Sequence, residues 1–116
     1  MEKHFAVSGF VVNPSVTKLL MVHHKKLDTW VIPGGHLEPN ELPHEGAQRE
    51  IKEETGVSVV VMNGSVMETT SGEKEVQLPC PFLVLQEFIP EKGDKPAHYH
   101  VDLVYICMAE ETALSK

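Results

Sequence analysis

One segment, Leu42 to Thr55, constrains this chain more than any other. It holds a single Gly among good helix formers, with Pro43 at its start and Gly56 directly behind it. Proline is tolerated at the first helical position because its missing N–H has no helical partner there, and glycine is the usual stop. The segment therefore predicts a helix over 42–55. At 100° per residue with Glu50 at zero, Glu54 falls at about 40° and Glu53 at about −60°. Three carboxylates share one arc. Ala47 and Ile51 form a packing stripe at about 60° and 100°, while Glu45, Gln48 and Lys52 lie behind and are expected to face water. A cluster of glutamates on a helix is ordinarily a solvated acidic face. Here Glu50 and Glu54 are like charges four residues apart, which costs a few tenths of a kcal/mol unless something offsets it. They also border the stripe that packs. A hard dication supplies the offset: Mg²⁺ takes oxygen ligands and few carboxylates, and completes its shell with water and phosphate oxygens. The pattern points to a Mg²⁺–phosphate site, and Gly34-Gly35 ahead of the helix permits a backbone that brings a carbonyl to the metal or an N–H to a phosphate.

The flanks read as strands. Residues 4–12 form one, Asn13-Pro14-Ser15 a turn, and 18–22 its hairpin partner. A strand over 29–32 stops at Pro33-Gly34-Gly35. Beyond the helix, 57–62 is β-branched, 63–74 polar and turn-rich, 76–89 carries Phe82-Leu83-Val84-Leu85, 92–96 is a hairpin loop, and 101–108 is a strong strand. The order β-β-β-α-β-β-β predicts an α+β domain with a mixed sheet. With no repeat, linker or low-complexity tract, 1–116 reads as one domain. The 10 Lys and Arg stand against 17 Asp and Glu, for a net charge of −7. That balance argues against duplex nucleic acid or an anionic membrane as partner. Neither a secretory pattern at Met1-Glu2-Lys3-His4 nor a membrane-length apolar run is found. Cys80 and Cys107 lack CxxC spacing and read as core thiols of a reducing compartment, the cytoplasm.

Gly35, five residues, Glu41, seven residues, Arg49-Glu50-Ile51, one residue, Glu53-Glu54, one residue, Gly56-Val57: this pattern resembles the Nudix box without a mismatch. By average residue usage it would arise by chance with a probability on the order of 10⁻⁸. The lead-in Trp30-Val31-Ile32-Pro33-Gly34-Gly35 is similar to the family as well. The resemblance to Nudix hydrolases (MutT-like proteins) implies an α/β/α sandwich. It also implies hydrolysis of a phosphoanhydride in a nucleoside diphosphate derivative, with Mg²⁺ or Mn²⁺ as cofactor. It assigns Glu50, Glu53 and Glu54 as metal ligands, with the Gly35 carbonyl. Catalysis is expected from Glu53, Glu50 and Arg49: a glutamate as general base, and Arg49 orienting a glutamate. Glu41 braces the loop against the helix, and Gly56 is structural. The family's domains usually continue with a further strand and a closing helix, whereas this chain ends at Ala113-Leu114-Ser115-Lys116. A fragment, or a sheet covered by a partner such as a second copy, is the expectation.

The family's subclass signatures for ADP-ribose, dinucleoside polyphosphates and coenzyme A are absent around Ser71–Glu75. Pro79-Cys80-Pro81-Phe82, a faint echo of the NADH signature, is explained by a proline-broken edge strand. A nucleoside triphosphate is the first substrate class. The alternatives are ADP-ribose, dinucleotides or nucleotide sugars, or a Nudix-fold sensor or interaction module without turnover. Outside the box, His98, His100 and Asp102 alternate along a strand and so share one face. They line a cleft or, as HxH with a carboxylate, suit zinc or iron. Trp30 is either core or a wall for a nucleotide base. Gly34, Trp30, His98, His100 and Asp102 are thus candidate substrate contacts. Glu68, Glu73, Glu75 and Glu87 are candidates for a further carboxylate near the metal. His23-His24-Lys25-Lys26 reads as a solvated turn.

Overall fold

A computed structural model describes residues 1–25, 28–62 and 74–110. Glu68, Glu73, Lys26, the Ser71-Gly72-Glu73 stretch and the terminal Ala113-Leu114-Ser115-Lys116 lie outside the described residues. Two long strands form the frame: β1 (Lys3–Val12) and the last strand, β8 (His98–Ala109), run parallel from Lys3↔Tyr99 to Val12↔Met108. Each is flanked on its outer side by two short strands in tandem. Beside β1 lie β2 (Leu19–Leu20) and β5 (Gly34–His36), both antiparallel. Beside β8 lie β6 (Val59–Val61) and β7 (Leu83–Ile89), also antiparallel. Strands β3 (Val22–His24) and β4 (Thr29–Val31) make a separate two-stranded ribbon.

The one helix among the described residues, α1 (Pro43–Thr55), begins at the proline and ends on Gly56. Gly56 adopts φ 74°, and its N–H closes onto the Lys52 carbonyl. This left-handed cap is nearly free for glycine. Ala47 and Ile51 are fully buried and join Val7, Val11, Val57, Val59, Tyr105, Cys107 and Ala109 in the core. The helix can seat this closely because β1 carries Gly9 beneath it. A Cβ there would lie 2.8 Å from Ile51 Cδ1 and 3.0 Å from Cys107 Sγ. The α+β class, mixed sheet, 4–12/18–22 hairpin and 92–96 loop are as expected, with Lys92 and Lys95 bridging the loop.

The differences have local causes. The strand over 29–32 ends before Pro33 as expected, but Gly34-Gly35 then open a further strand, β5, because the β1 backbone pairs with it at Ser8↔Gly34 and Val7↔Gly35. The 18–22 run divides at Met21, between β2 and β3. Gln48 is half-buried, donating through Nε2 to the Val59 carbonyl at 3.1 Å. Trp30 is 62% exposed, because its ribbon stands outside the main sheet. Cys80 is exposed rather than core: Pro79 and Pro81 keep its segment out of the strand that starts at Leu83.

The two thiols therefore differ in reactivity. Cys107 is fully buried, and burial pushes its thiol up to about 12, whereas Cys80 is exposed. Titration of the native protein with a chromogenic disulfide at pH 8 is expected to modify Cys80 alone, with Cys107 reacting after denaturation. Prompt reaction of both in native buffer would contradict the packing described here.

Candidate functional site

Three elements meet at the C-terminal half of α1. The helix carries Arg49, Glu50, Glu53 and Glu54; the turn before it carries Glu38 and Glu41; and β5 supplies Gly35 and His36. The turn is tight, with Asn40 at φ 65° and the Glu41 N–H on the Glu38 carbonyl. At the centre lies the Arg49 guanidinium. Its Nε and Nη2 grip Glu41 as a fork, at 2.7 and 3.1 Å. Nη1 donates to Glu50 Oε1 at 2.8 Å and Glu53 Oε2 at 3.2 Å, and Nη2 donates to the His36 carbonyl at 3.0 Å. Every N–H of the guanidinium thus has an acceptor. Glu38 stands further off, 3.5 Å from Nη1. Glu41 also accepts the Glu38 N–H at 3.1 Å, so one carboxylate ties turn to helix.

The charges follow from this geometry. The Arg49 bonds, aided by the Glu38 N–H, hold the Glu41 carboxyl below the usual carboxylate range against the effect of burial. The bonds to Glu41 and then Glu50 hold the guanidinium proton far above its ordinary value. Glu54 receives no arginine bond. Partial burial raises its pKa and the Glu50 charge adds to this, while a bond from the Gly34 backbone opposes both.

Gly34 and Gly35 earn their place by close approach. Neither has a positive φ, so the special backbone conformation anticipated there is not used. A Cβ on Gly35 would run into the Glu50 carboxylate, and one on Gly34 into the Val7 carbonyl and Ser8. The glycines let β5 lie against β1 on one side and against Glu50 on the other.

The opposite face of the sheet holds the other candidates. His98, His100 and Asp102 share that face, as alternation requires, but they part company there. Asp102 is buried, and its two carboxylate oxygens share the Ser8 hydroxyl, at 2.9 and 3.0 Å. Burial, and then the Asp102 charge and hydrogen bond, push the Glu87 carboxyl up to about 7. Glu87 pairs across from His100 on this face, away from the helix glutamates, and Glu75 is exposed. His98 and His100 instead meet His36 and His4. Among the described residues, these four offer ligand atoms that all lie within 4.8 Å of one another. His4 and His36 were missed in the sequence because no spacing links them; strand register His4↔His100 and Ala6↔His36 brings them together. Burial, then neighbouring histidines, lower the pKa of both His36 and His100. Trp30 meets His23 edge to face across the ribbon and is largely exposed.

Comparison with known proteins shows the family and the fold. The family model described as NUDIX domain matches residues 2–113. A MutT-like protein of Streptomyces ambofaciens is 41% identical over 77 residues, 65% of this chain and 49% of that protein. A Bacillus subtilis (strain 168) protein, provisionally named an 8-oxo-dGTP diphosphatase, is 41% identical over 51 residues, 44% of this chain and 34% of its own length. The chain thus spans half or less of the curated relatives it matches. Among solved structures, a NUDIX-family hydrolase from Clostridium perfringens superposes with a TM-score of 0.67 at 31% identity, covering 94% of this chain and 69% of that one. A UDP-X diphosphatase shares the fold with a TM-score of 0.62 at 21% identity, covering 95% of this chain and 43% of that one.

The Glu41–Arg49 fork has a pH signature. A carboxylate whose pKa is depressed on folding adds stability above its unfolded value, near 4.5 here, and that stability is lost as pH falls through the lower folded value. Glu41→Gln is expected to melt about 5 °C lower than the parent at pH 7. Thermal melts of the two proteins should converge as pH falls below 4.5. A constant offset at all pH values would mean that packing, rather than the ion pair, sets the difference.

Proposed function

The chain belongs to the Nudix family, and on that premise we propose that it is a divalent-metal-dependent pyrophosphohydrolase of a nucleoside diphosphate derivative, with a nucleoside triphosphate as the favoured substrate. The observation that carries the reading is the Arg49 fork, which bonds Glu41, Glu50 and Glu53 at once and sets Glu50 against Gly35. The residues present fit a hard dication. The donors are all oxygen, Gly35 has no Cβ to displace the Glu50 carboxylate, and Glu54 lacks an arginine partner. Glu50, Glu53 and Glu54, with the Gly35 carbonyl, would hold it. When bound, Mg²⁺ or Mn²⁺ neutralises diphosphate charge and makes water more acidic.

The chain's own groups do the rest. Arg49 takes one oxygen of Glu50 and one of Glu53, fixing both rotamers by charge-assisted bonds and leaving the second oxygen of each for other work. Such an oxygen, at Glu53 or Glu50, accepts the proton of the attacking water as general base. Glu53 is the more exposed of the two and so the more accessible to water. Trp30, open on its ribbon, offers a face to the nucleobase. The nucleoside triphosphate preference draws support from the subclass signatures missing in the sequence and from the name of the Bacillus relative. Free thiols at Cys80 and Cys107 favour a cytoplasmic setting, and no helix among the described residues is long and apolar enough to cross a membrane. The edge strand β7, with Val84, Leu85 and Phe88 exposed, is the edge a second copy of the chain would use.

A chromatographic product assay tests the proposal with Mg²⁺ or Mn²⁺ and a panel of nucleoside triphosphates, ADP-ribose, dinucleotides, dinucleoside polyphosphates and nucleotide sugars. Metal-dependent cleavage is expected. Glu53→Gln and Glu54→Gln are expected to keep the parent's circular dichroism and lose about 10²- to 10⁴-fold in kcat. Parental turnover in either variant would remove that glutamate from the mechanism. Tight nucleotide binding without any cleavage would make the chain a sensor instead.

A further inference from the structure

We propose that His36, His98 and His100, together with His4, form a binding site for a borderline transition-metal dication, Zn²⁺ by its ligand chemistry, on the sheet face opposite the helix. The site is separate from the glutamate centre and does not depend on it.

The first argument is geometric. His100 Nε2 lies 3.2 Å from His98 Nε2 and 3.1 Å from His36 Nε2. Nitrogens bound to one tetrahedral Zn²⁺ at ordinary Zn–N lengths sit about 3.3 Å apart. The ring nitrogen of His4 belongs to the same group, with all four ligand atoms within 4.8 Å.

The second argument is one of hydrogen-bond capacity. An imidazole nitrogen carries either one N–H or one in-plane lone pair. His100 Nε2 has two short nitrogen neighbours, so without an ion it can bond only one of them. A cation at the centre that receives the lone pairs of all three removes the conflict.

The outer contacts match what metal-bound histidines use. His98 Nδ1 donates to the Pro96 carbonyl at 3.1 Å, which leaves its Nε2 with the lone pair turned into the cluster. His4 carries the Glu2 carboxylate on Nε2 at 3.0 Å. Beside the rings is an open pocket of about 210 Å³, lined by Glu2, His4, His36, Lys95, Pro96 and His98. It gives an ion a way in and room for water or a fourth ligand. Imidazole donors choose against Mg²⁺, which prefers oxygen, and in favour of zinc, nickel, copper or cobalt.

The test is isothermal titration of tag-free, chelator-treated protein with ZnSO₄ in excess Mg²⁺, paired with the visible spectrum after CoCl₂ addition. One equivalent of Zn²⁺ is expected to bind, with Co²⁺ giving a spectrum of low-symmetry nitrogen coordination that Zn²⁺ abolishes. His98→Gln and His36→Gln, each checked by circular dichroism, should each weaken Zn²⁺ by about 100-fold or more. Glu53→Gln should bind Zn²⁺ as the parent does, which separates this site from the glutamate centre. Failure of the parent to take up Zn²⁺ in Mg²⁺, or parental affinity in both histidine variants, overturns the proposal. So does binding of inorganic phosphate that is lost in Lys95→Ala with no Zn²⁺ uptake, which would make the pocket an anion site.

Discussion

Everything at the candidate centre depends on one guanidinium. Arg49 spends all its N–H groups on Glu41, Glu50, Glu53 and the His36 carbonyl, and so joins turn, helix and strand at one point. Four glutamates near one helix would repel one another, and this fork converts the repulsion into position. A lysine keeps the charge but loses the planar, two-pronged grip on Glu41 and the simultaneous reach to Glu50, Glu53 and β5. Glu54 is the carboxylate the fork leaves out, and partial burial, with the Glu50 charge adding to it, raises its pKa. The centre is thus an arginine-organised array with one further negative charge to be met.

The second organising constraint is the β1–β8 pairing. Because these strands are parallel and in register over ten pairs, the two faces of the sheet are assigned once and for all. Val7, Val11, Tyr105 and Cys107 fall on the helix side, while His4, Ser8, His100 and Asp102 fall on the other. Strand β5 inherits the same alternation from β1: Gly35 faces Glu50, and its neighbour His36 faces the histidines. Two adjacent residues of one short strand therefore serve chemically opposite neighbourhoods, one all oxygen and one all nitrogen.

What could be read from the residues follows the range of the interactions involved. The helix was legible because its periodicity, its Pro43 start and its Gly56 stop are local. The glutamate arc was legible for the same reason. Strand β5 was hidden because glycines have little intrinsic preference for strands; its pairing is imposed by the β1 backbone, from which three strands separate it in the chain. Cys80 reads as core in the sequence and Trp30 as core or base wall, because apolar character says nothing about whether a proline pair lifts a segment off the ladder or a ribbon docks. The four-histidine cluster was invisible beyond its HxH portion, since His4, His36 and the 98–100 pair meet only through strand register. The placement of Asp102 likewise depended on Ser8, 94 residues away.

This separation of chemistries bears on how the chain could handle ions. A hard dication finds oxygen donors and unneutralised charge on the helix side and nothing to prefer among neutral imidazoles. A borderline ion finds the reverse. The two neighbourhoods are linked covalently through Gly35-His36 and by the Arg49 bond to the His36 carbonyl. The short β5, with three residues and two glycines, is held by its backbone pairing with β1 and by the close approach of Gly35 to Glu50. Its position is set by the frame of the sheet, and each face keeps its own donor set, glutamate oxygens beside Gly35 and imidazole nitrogens beside His36.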